Sequence, residues 1–280
     1  MIIQDTVLVL GAGASSDFGF PLGFSLYQAI DEILDGSDGY GILKDIFNQQ
    51  EIQSFKTAFK FSGRESMDEF LQHRKDFARI GKALIAIALI QKESEENLFS
   101  YSIKKHWYRL LFQSMNTNIE DFGENKITFI TFNYDRSLEH FLYVTLKNSY
   151  NLSNDKVVEL MRRLKIIHIH GCIGKHPCKN SEALNHFHQH TFESPLDNSP
   201  TNLTNGYVNP NREYFRYYKD RPSYNNVQNS MANIKIIHDD ENTLELTEAI
   251  KVMNNASRLL FLGFGYNETN LKRLKVSECK

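Results

Sequence analysis

Residues 7–23 read VLVLGAGASSDFGFPLG: a β-branched apolar run halts at a glycine, and a bare polar loop leads into a segment with helical spacing. That order constrains the chain more than any other feature. Thr6–Leu10 fits a strand buried on both faces, which belongs in a parallel sheet. Leu22, Leu26, Ile30 and Ile33 recur at helical spacing before DGSDGYG breaks the helix with three glycines. A glycine-rich turn between strand and helix leaves bare N–H groups beside a helix N-terminus, which suits a diphosphate. The same loop also reads as an ordinary tight strand-to-helix turn, and its spacing is not that of the dinucleotide fingerprint G-x-G-x-x-G.

The alternation continues along the chain. KITFITFNYD, LKIIHIHG, IKIIHDD and SRLLFLGFG read as strands, and SLEHFLYVTLK and TLELTEAIKVMNNA as helices. The expected fold class is α/β: a Rossmann-like doubly wound parallel sheet with a helical insertion or lid. Residues from about 43 to 115 read as mostly helical, with a capping box at Ser66 and Glu69. Trp107 and its neighbours Tyr101, Tyr108 and Phe112 read as core. The chain is expected to be a single domain over 1–280, with a helical subdomain inserted at about 35–120. An irregular or mobile segment is expected at about 174–230, which is rich in Asn, Pro, Ser, His and Tyr. Four strand ends, GAGAS, TFNYD, HIHG and FLGFG, are polar or glycine-rich and should converge on one crevice.

Composition excludes several classes. The net charge is −2, so no general electrostatic grip on nucleic acid or an anionic membrane is expected. The longest purely apolar run, ALIAIALI at Ala83–Ile90, is far too short to span a bilayer. The first strand begins within about six residues, which leaves no room for a secretory leader, so a cytoplasmic location is expected. Cys172, Cys178 and Cys279 form no Cys-x-x-Cys pair, so neither a disulfide framework nor a zinc ribbon is expected. His186, His188 and His190 would share one face of a strand, but no paired carboxylate or cysteine signature accompanies them, and a solvated loop is the simpler reading.

GAGASSDFGFP resembles the sirtuin cofactor loop, Gly-Ala-Gly-x-Ser-x-x-x-Gly-x-Pro, at Gly11, Ala12, Gly13, Ser15, Gly19 and Pro21. TFNYD resembles the family's Thr-Gln-Asn-Ile-Asp segment at Thr131, Asn133 and Asp135, and HIHG its His-Gly pair at His170 and Gly171. The motifs stand in the family's order. The chain departs from the deacylases: LGF replaces Asp-Phe-Arg after Pro21, Phe132 replaces the glutamine, and the two Cys-x-x-Cys pairs of the zinc module are missing. It is more similar to the bacterial sirtuin-like NAD hydrolases of antiphage defence, and no zinc is expected.

The resemblance implies cleavage of the nicotinamide–ribose bond of NAD, used as substrate, to nicotinamide and ADP-ribose. Asn133 would orient water and His170 accept a proton. Asp135 would hold the carboxamide. The amides of Ala12 and Gly13, with Ser15, Asp17 and Pro21, would hold phosphate and ribose. Gly263 and Gly265 would let the last strand approach the adenosine side, with Asn267 as a hydroxyl ligand. Such an activity needs gating, by a homo-oligomer or by an activating partner such as an ATPase, an Argonaute-like protein or a phage component. Two alternatives stay open: an NAD or ADP-ribose sensor without turnover, and a protein deacylase. Asn133 and Asp135 also read as caps of the following helix, and His168 as a hydrogen-bonded core histidine.

Overall fold

Thr6–Leu10 is buried along its whole length because it pairs on both sides, and helices cover both faces of the sheet around it. The computed structural model describes residues 1–64, 66–192, 206–211, 213–236, 243–266 and 268–276, without the side chains of 188–192, 268 and 269. In chain order, the first half comprises β1 (Thr6–Leu10), α1 (Gly23–Leu34), α2 (Tyr40–Ile46), α3 (Gln49–Lys60), α4 (Met67–His73), α5 (Ala78–Ile90), α6 (Glu95–Leu98) and α7 (Trp107–Ser114). Next come β2 (Ile127–Thr131), α8 (Ser137–Tyr150), α9 (Asn154–Arg163), β3 (Lys165–His168) and α10 (Ser181–Phe192). A hairpin of β4 (Tyr207–Val208) and β5 (Tyr214–Phe215), then α11 (Tyr224–Asn233), α12 (Leu244–Asn254), β6 (Arg258–Leu262) and α13 (Glu268–Arg273) complete it.

The main sheet is parallel in the order β3-β2-β1-β6, with Thr6 in register with Ile127 on one side and Arg258 on the other. Side chains alternate between its faces. Leu8, Leu10, Ile127 and Phe129 enter a large core with the helices from α1 to α9, while Val7, Val9, Ile130 and Ile167 pack with α12. This is the doubly wound α/β arrangement that alternating strands and helices predict.

The apolar run Ala83–Ile90 lies inside α5 and is buried throughout, as a helix that is apolar all round must be. Among the described residues, no helix is long and apolar enough to cross a membrane. α5 packs against α1 and α11, and its core is continuous with that of β1, so the helical region is a layer of the domain rather than a unit with a core of its own.

Several local expectations are corrected. Ser66 caps α4 by accepting from the Glu69 amide at 3.2 Å, but the Glu69 carboxylate pairs with Arg64 instead of closing the box. The reciprocal box stands at Asn48 and Glu51, opening α3. Tyr101 is exposed, whereas Tyr108 is buried against Phe18 and Phe141. IKIIHDD forms no strand over Ile234–Ile236: the Ile234 amide bonds back to Ser230 at the end of α11, and the Lys235 amide donates to the His170 carbonyl at 2.8 Å. Residues 237–242 lie outside the described residues.

The described part of 174–230 carries α10, the hairpin and α11 instead of an irregular stretch, and it is anchored by charge. Arg216, after β5, and Arg136, before α8, are both fully buried against the carboxylate of Glu93. Arg136 donates to both Glu93 oxygens at 2.8 and 2.9 Å, and Arg216 does so at 2.8 and 2.6 Å. Burial by itself would raise the Glu93 pKa, but the Arg136 and Arg216 guanidiniums outweigh it and hold it below the usual carboxylate range.

Candidate active site at the carboxyl ends of the parallel strands

The chain runs from β1 outward through β2 to β3, then returns to the opposite side of β1 as β6. Ligands of such sheets bind beyond the strand ends at that reversal. Two loops meet there at backbone contact. Gly11 and Gly13 donate to Leu262 and Gly263 carbonyls at 3.0 and 2.9 Å. Gly263 is left-handed, with φ of 57°, and a Cβ there would stand 1.9 Å from the Ala14 nitrogen. Its glycine is thus required twice, by backbone angle and by space.

Beside this contact lies a pocket of about 340 Å³, lined by Gly11, Ala12, Ser15, Pro21, Asn133, Asp135, His170 and Gly265, all expected there from sequence. Three expected residues do not line it. The Gly13 amide is taken by Gly263, both glycines serve loop packing, and Asp17 is an exposed residue in a short turn of helix. Asn267 lies outside the described residues. Asn270 on α13 does line the pocket, and its buried Oδ1 finds no hydrogen-bond partner among the described residues. Asp68 from α4, Leu89 from α5, and Tyr134 and Phe264 are further lining residues that sequence reasoning missed.

The polar groups form one network. Asn133 Nδ2 donates to the Gly11 carbonyl at 3.0 Å and to Ser15 Oγ at 3.2 Å, which leaves its Oδ1 as the group able to act on a ligand. Ser15 Oγ donates to Asp135 Oδ2 at 2.8 Å. The other oxygen, Oδ1, accepts from the Ser137 amide at 3.0 Å and from the Ser137 hydroxyl. Asp135 therefore caps the first turn of α8 while lining the pocket, so both readings of its sequence position hold geometrically. Burial raises its pKa, and the bonds from Ser137 and Ser15 oppose that rise.

His170 is buried, with Phe132 edge-on at 5.3 Å between ring centroids. Gly171 follows at φ of 70°, where a Cβ would stand 1.8 Å from the Asn233 carbonyl oxygen; glycine makes the turn that carries His170 to the strand end. Below it, His168 Nε2 stands 2.6 Å from Glu139 Oε1, and its Nδ1 stands 3.2 Å from the Asn133 carbonyl oxygen. It is the bonded core histidine, and it steadies the backbone of Asn133.

Burial lowers the His168 pKa, but Glu139 outweighs it and sets it above the usual 6.5. For Glu139, burial raises and His168 lowers, leaving it below 4.5. The histidine's contribution is complete below pH 6.5 and is lost as pH rises through its folded pKa. The carboxylate's contribution is complete above pH 4.5 and is lost as pH falls through its own. Glu139→Gln is expected to lower stability by about 1.5–3 kcal/mol between those limits, as for a charged hydrogen bond. Thermal melts of both proteins across pH check it: the gap should narrow on either side of the window, and a gap independent of pH contradicts the assignment.

His186 lies on a helix, α10, and not on a strand; its ring packs on Tyr207 at 4.9 Å. The side chains of His188 and His190, and Cys279, lie outside the described residues. Among the described residues, no group of three or more His, Cys, Asp or Glu side chains is placed to hold a metal ion.

No family model and no curated protein matches the chain.

None of the described pocket-lining residues is Lys or Arg. An anion would therefore be met by backbone. The amide of Ala12 donates to no carbonyl among the described residues. α1 starts at Gly23, beside Pro21 in the pocket wall, with no side-chain cap on its first amides. The arrangement offers backbone amide donors together with Asn133 Oδ1, His170 and a carboxylate in one pocket.

Proposed function

We propose that the chain is an NAD hydrolase of the sirtuin-like kind, releasing nicotinamide and ADP-ribose. The observation that carries this reading is the meeting of the Gly11–Ser15 loop, Asn133 and His170, from three separate strand ends, in one pocket. The diphosphate lies against the Ala12 amide and the start of α1, where the helix dipole favours negative charge. Asn270 Oδ1, buried in the wall, accepts from a hydroxyl on the adenosine side.

In the reaction the bond from ribose C1′ to the pyridinium nitrogen breaks, and its electron pair leaves with nicotinamide. Ribose becomes oxocarbenium-like and is attacked by water at C1′. Asn133 Oδ1 accepts a hydrogen bond from the water to orient the attack, and His170 takes the proton released. Ser15 and Asp135 hold the Asn133 amide in place.

Depleting cytoplasmic NAD would make the chain an antiphage effector. Its gating would come from homo-oligomerisation or an activating ATPase, Argonaute-like protein or phage component; the resemblance of the three motifs supports this. A second reading, sensing of NAD or ADP-ribose without turnover, is favoured by Phe132, which packs between His170 and Phe264 where deacylases carry glutamine. Calorimetry tests the shared premise: NAD and ADP-ribose should each bind once per chain, and absence of heat with both rejects either reading.

A further inference from the structure

Two carboxylates line the pocket, and their surroundings differ. Both oxygens of Asp135 are engaged, by Ser15 and by Ser137 twice. Such a group has little capacity left for a ligand. Asp68 comes from α4. Its neighbours Met67 and Phe70 are buried in the core, and Ser66 caps the turn, so the carboxylate is held in position. Among the described residues it accepts a single long bond, from the Tyr134 hydroxyl at 3.4 Å. The same hydroxyl donates to the Lys235 carbonyl at 3.2 Å, and Lys235 in turn donates to the His170 carbonyl. Asp68 thus sits at the His170 end of the pocket. The described lining of the pocket is largely apolar, including Leu26, Leu89 and Phe132, and holds no Lys or Arg. Burial pushes the Asp68 carboxyl up to about 6, the Tyr134 bond only partly opposing. With one long bond, the carboxylate keeps acceptor capacity for a ligand's donor or positive charge.

NAD brings both at one end only. Its diphosphate is anionic and its adenine and riboses are neutral. Its nicotinamide ring is cationic and carries a carboxamide N–H₂. We infer that Asp68 is the specificity-determining carboxylate of the pocket: it accepts from the carboxamide, faces the positive ring, and rejects the acid counterpart in which a carboxylate replaces that amide. This assignment rests on the NAD reading above. It gives Asp68 the role that the resemblance implies for Asp135, and leaves Asp135 as the brace of the Ser15 loop.

The test is calorimetric binding of NAD, nicotinic acid adenine dinucleotide and ADP-ribose to the full chain and to Asp68→Asn, with His170→Gln in both so that NAD is not consumed. With Asp68 present, NAD should bind at least tenfold more tightly than the acid dinucleotide, because like charges would meet. Asp68→Asn should bring the two within about threefold, since its amide can donate to the acid. ADP-ribose, which lacks the ring, should bind both proteins alike, and this also reports that the variant is folded. Equal binding of the two dinucleotides by the protein with Asp68 overturns the assignment without recourse to the variant. An unchanged preference in Asp68→Asn overturns it while the NAD reading stands. Failure of NAD and ADP-ribose to bind at all overturns both.

Discussion

Replacing Glu93 by alanine is expected to unfold most of the protein. Arg136 and Arg216 are both fully buried, and both pair with this one carboxylate. Removing it leaves two unpaired guanidiniums facing each other in the core. Breaking a buried pair costs about 3–5 kcal/mol, and here two cations lose their partner. Against a total stability of about 5–15 kcal/mol, that is a large share. The midpoint of urea unfolding should fall steeply, and the 206–236 side of the domain should loosen first, because Arg216 ties it to Glu93 in the turn after α5. Arg216→Met should be far milder, since it leaves a one-to-one pair. The Glu93 contribution has a pH signature: its folded pKa is depressed, so the contribution is present above 4.5 and lost as pH falls through that folded value. A Glu93→Ala midpoint equal to that of the unaltered protein contradicts the account of this anchor.

The second large effect is on chemistry. His170→Gln preserves the volume and polarity of the side chain but removes the proton acceptor. Nicotinamide release is expected to fall by about 10²–10⁴, the usual contribution of a general base. ADP-ribose affinity should stay within about threefold, because phosphate and ribose are met from the Ala12 side of the pocket. Asn133→Asp should behave differently. It loses both N–H donors to Gly11 and Ser15 and sets a second carboxylate beside Asp135, so binding and stability should fall together. Loss of ADP-ribose binding in His170→Gln, measured by calorimetry, contradicts the separation of the two ends.

The strand ends were legible because their signal is local. An apolar run followed by glycine or small polar residues reads directly as a buried strand and the loop beyond it, and four such ends meet as expected. Asp68 carried no such signal. An acidic residue in the first turn of α4 reads as a partner of the helix dipole, and only the packing of α4 against α1 and α5 brings it to the pocket. The Glu93 anchor joins residues 123 positions apart, from Glu93 to Arg216, and no spacing rule spans that distance. Gly13 and Gly263 illustrate a different failure. Glycine signals bare backbone in sequence, but the partner of that backbone is here another loop and not a ligand. At Ile234–Ile236 the apolar pattern was strand-like, yet the end of α11 had already taken the first amide.

The most direct test is a single turnover: the purified full chain, in molar excess over NAD, sampled over time and resolved by chromatography. Excess protein makes even ungated, slow turnover visible and favours any assembly the chain forms alone. The account predicts that nicotinamide and ADP-ribose appear in equal amounts as NAD disappears, and that His170→Gln slows this by about 10²–10⁴ while still binding ADP-ribose. NAD that binds to the protein and is recovered intact at every protein concentration contradicts hydrolysis and leaves the pocket as a sensor.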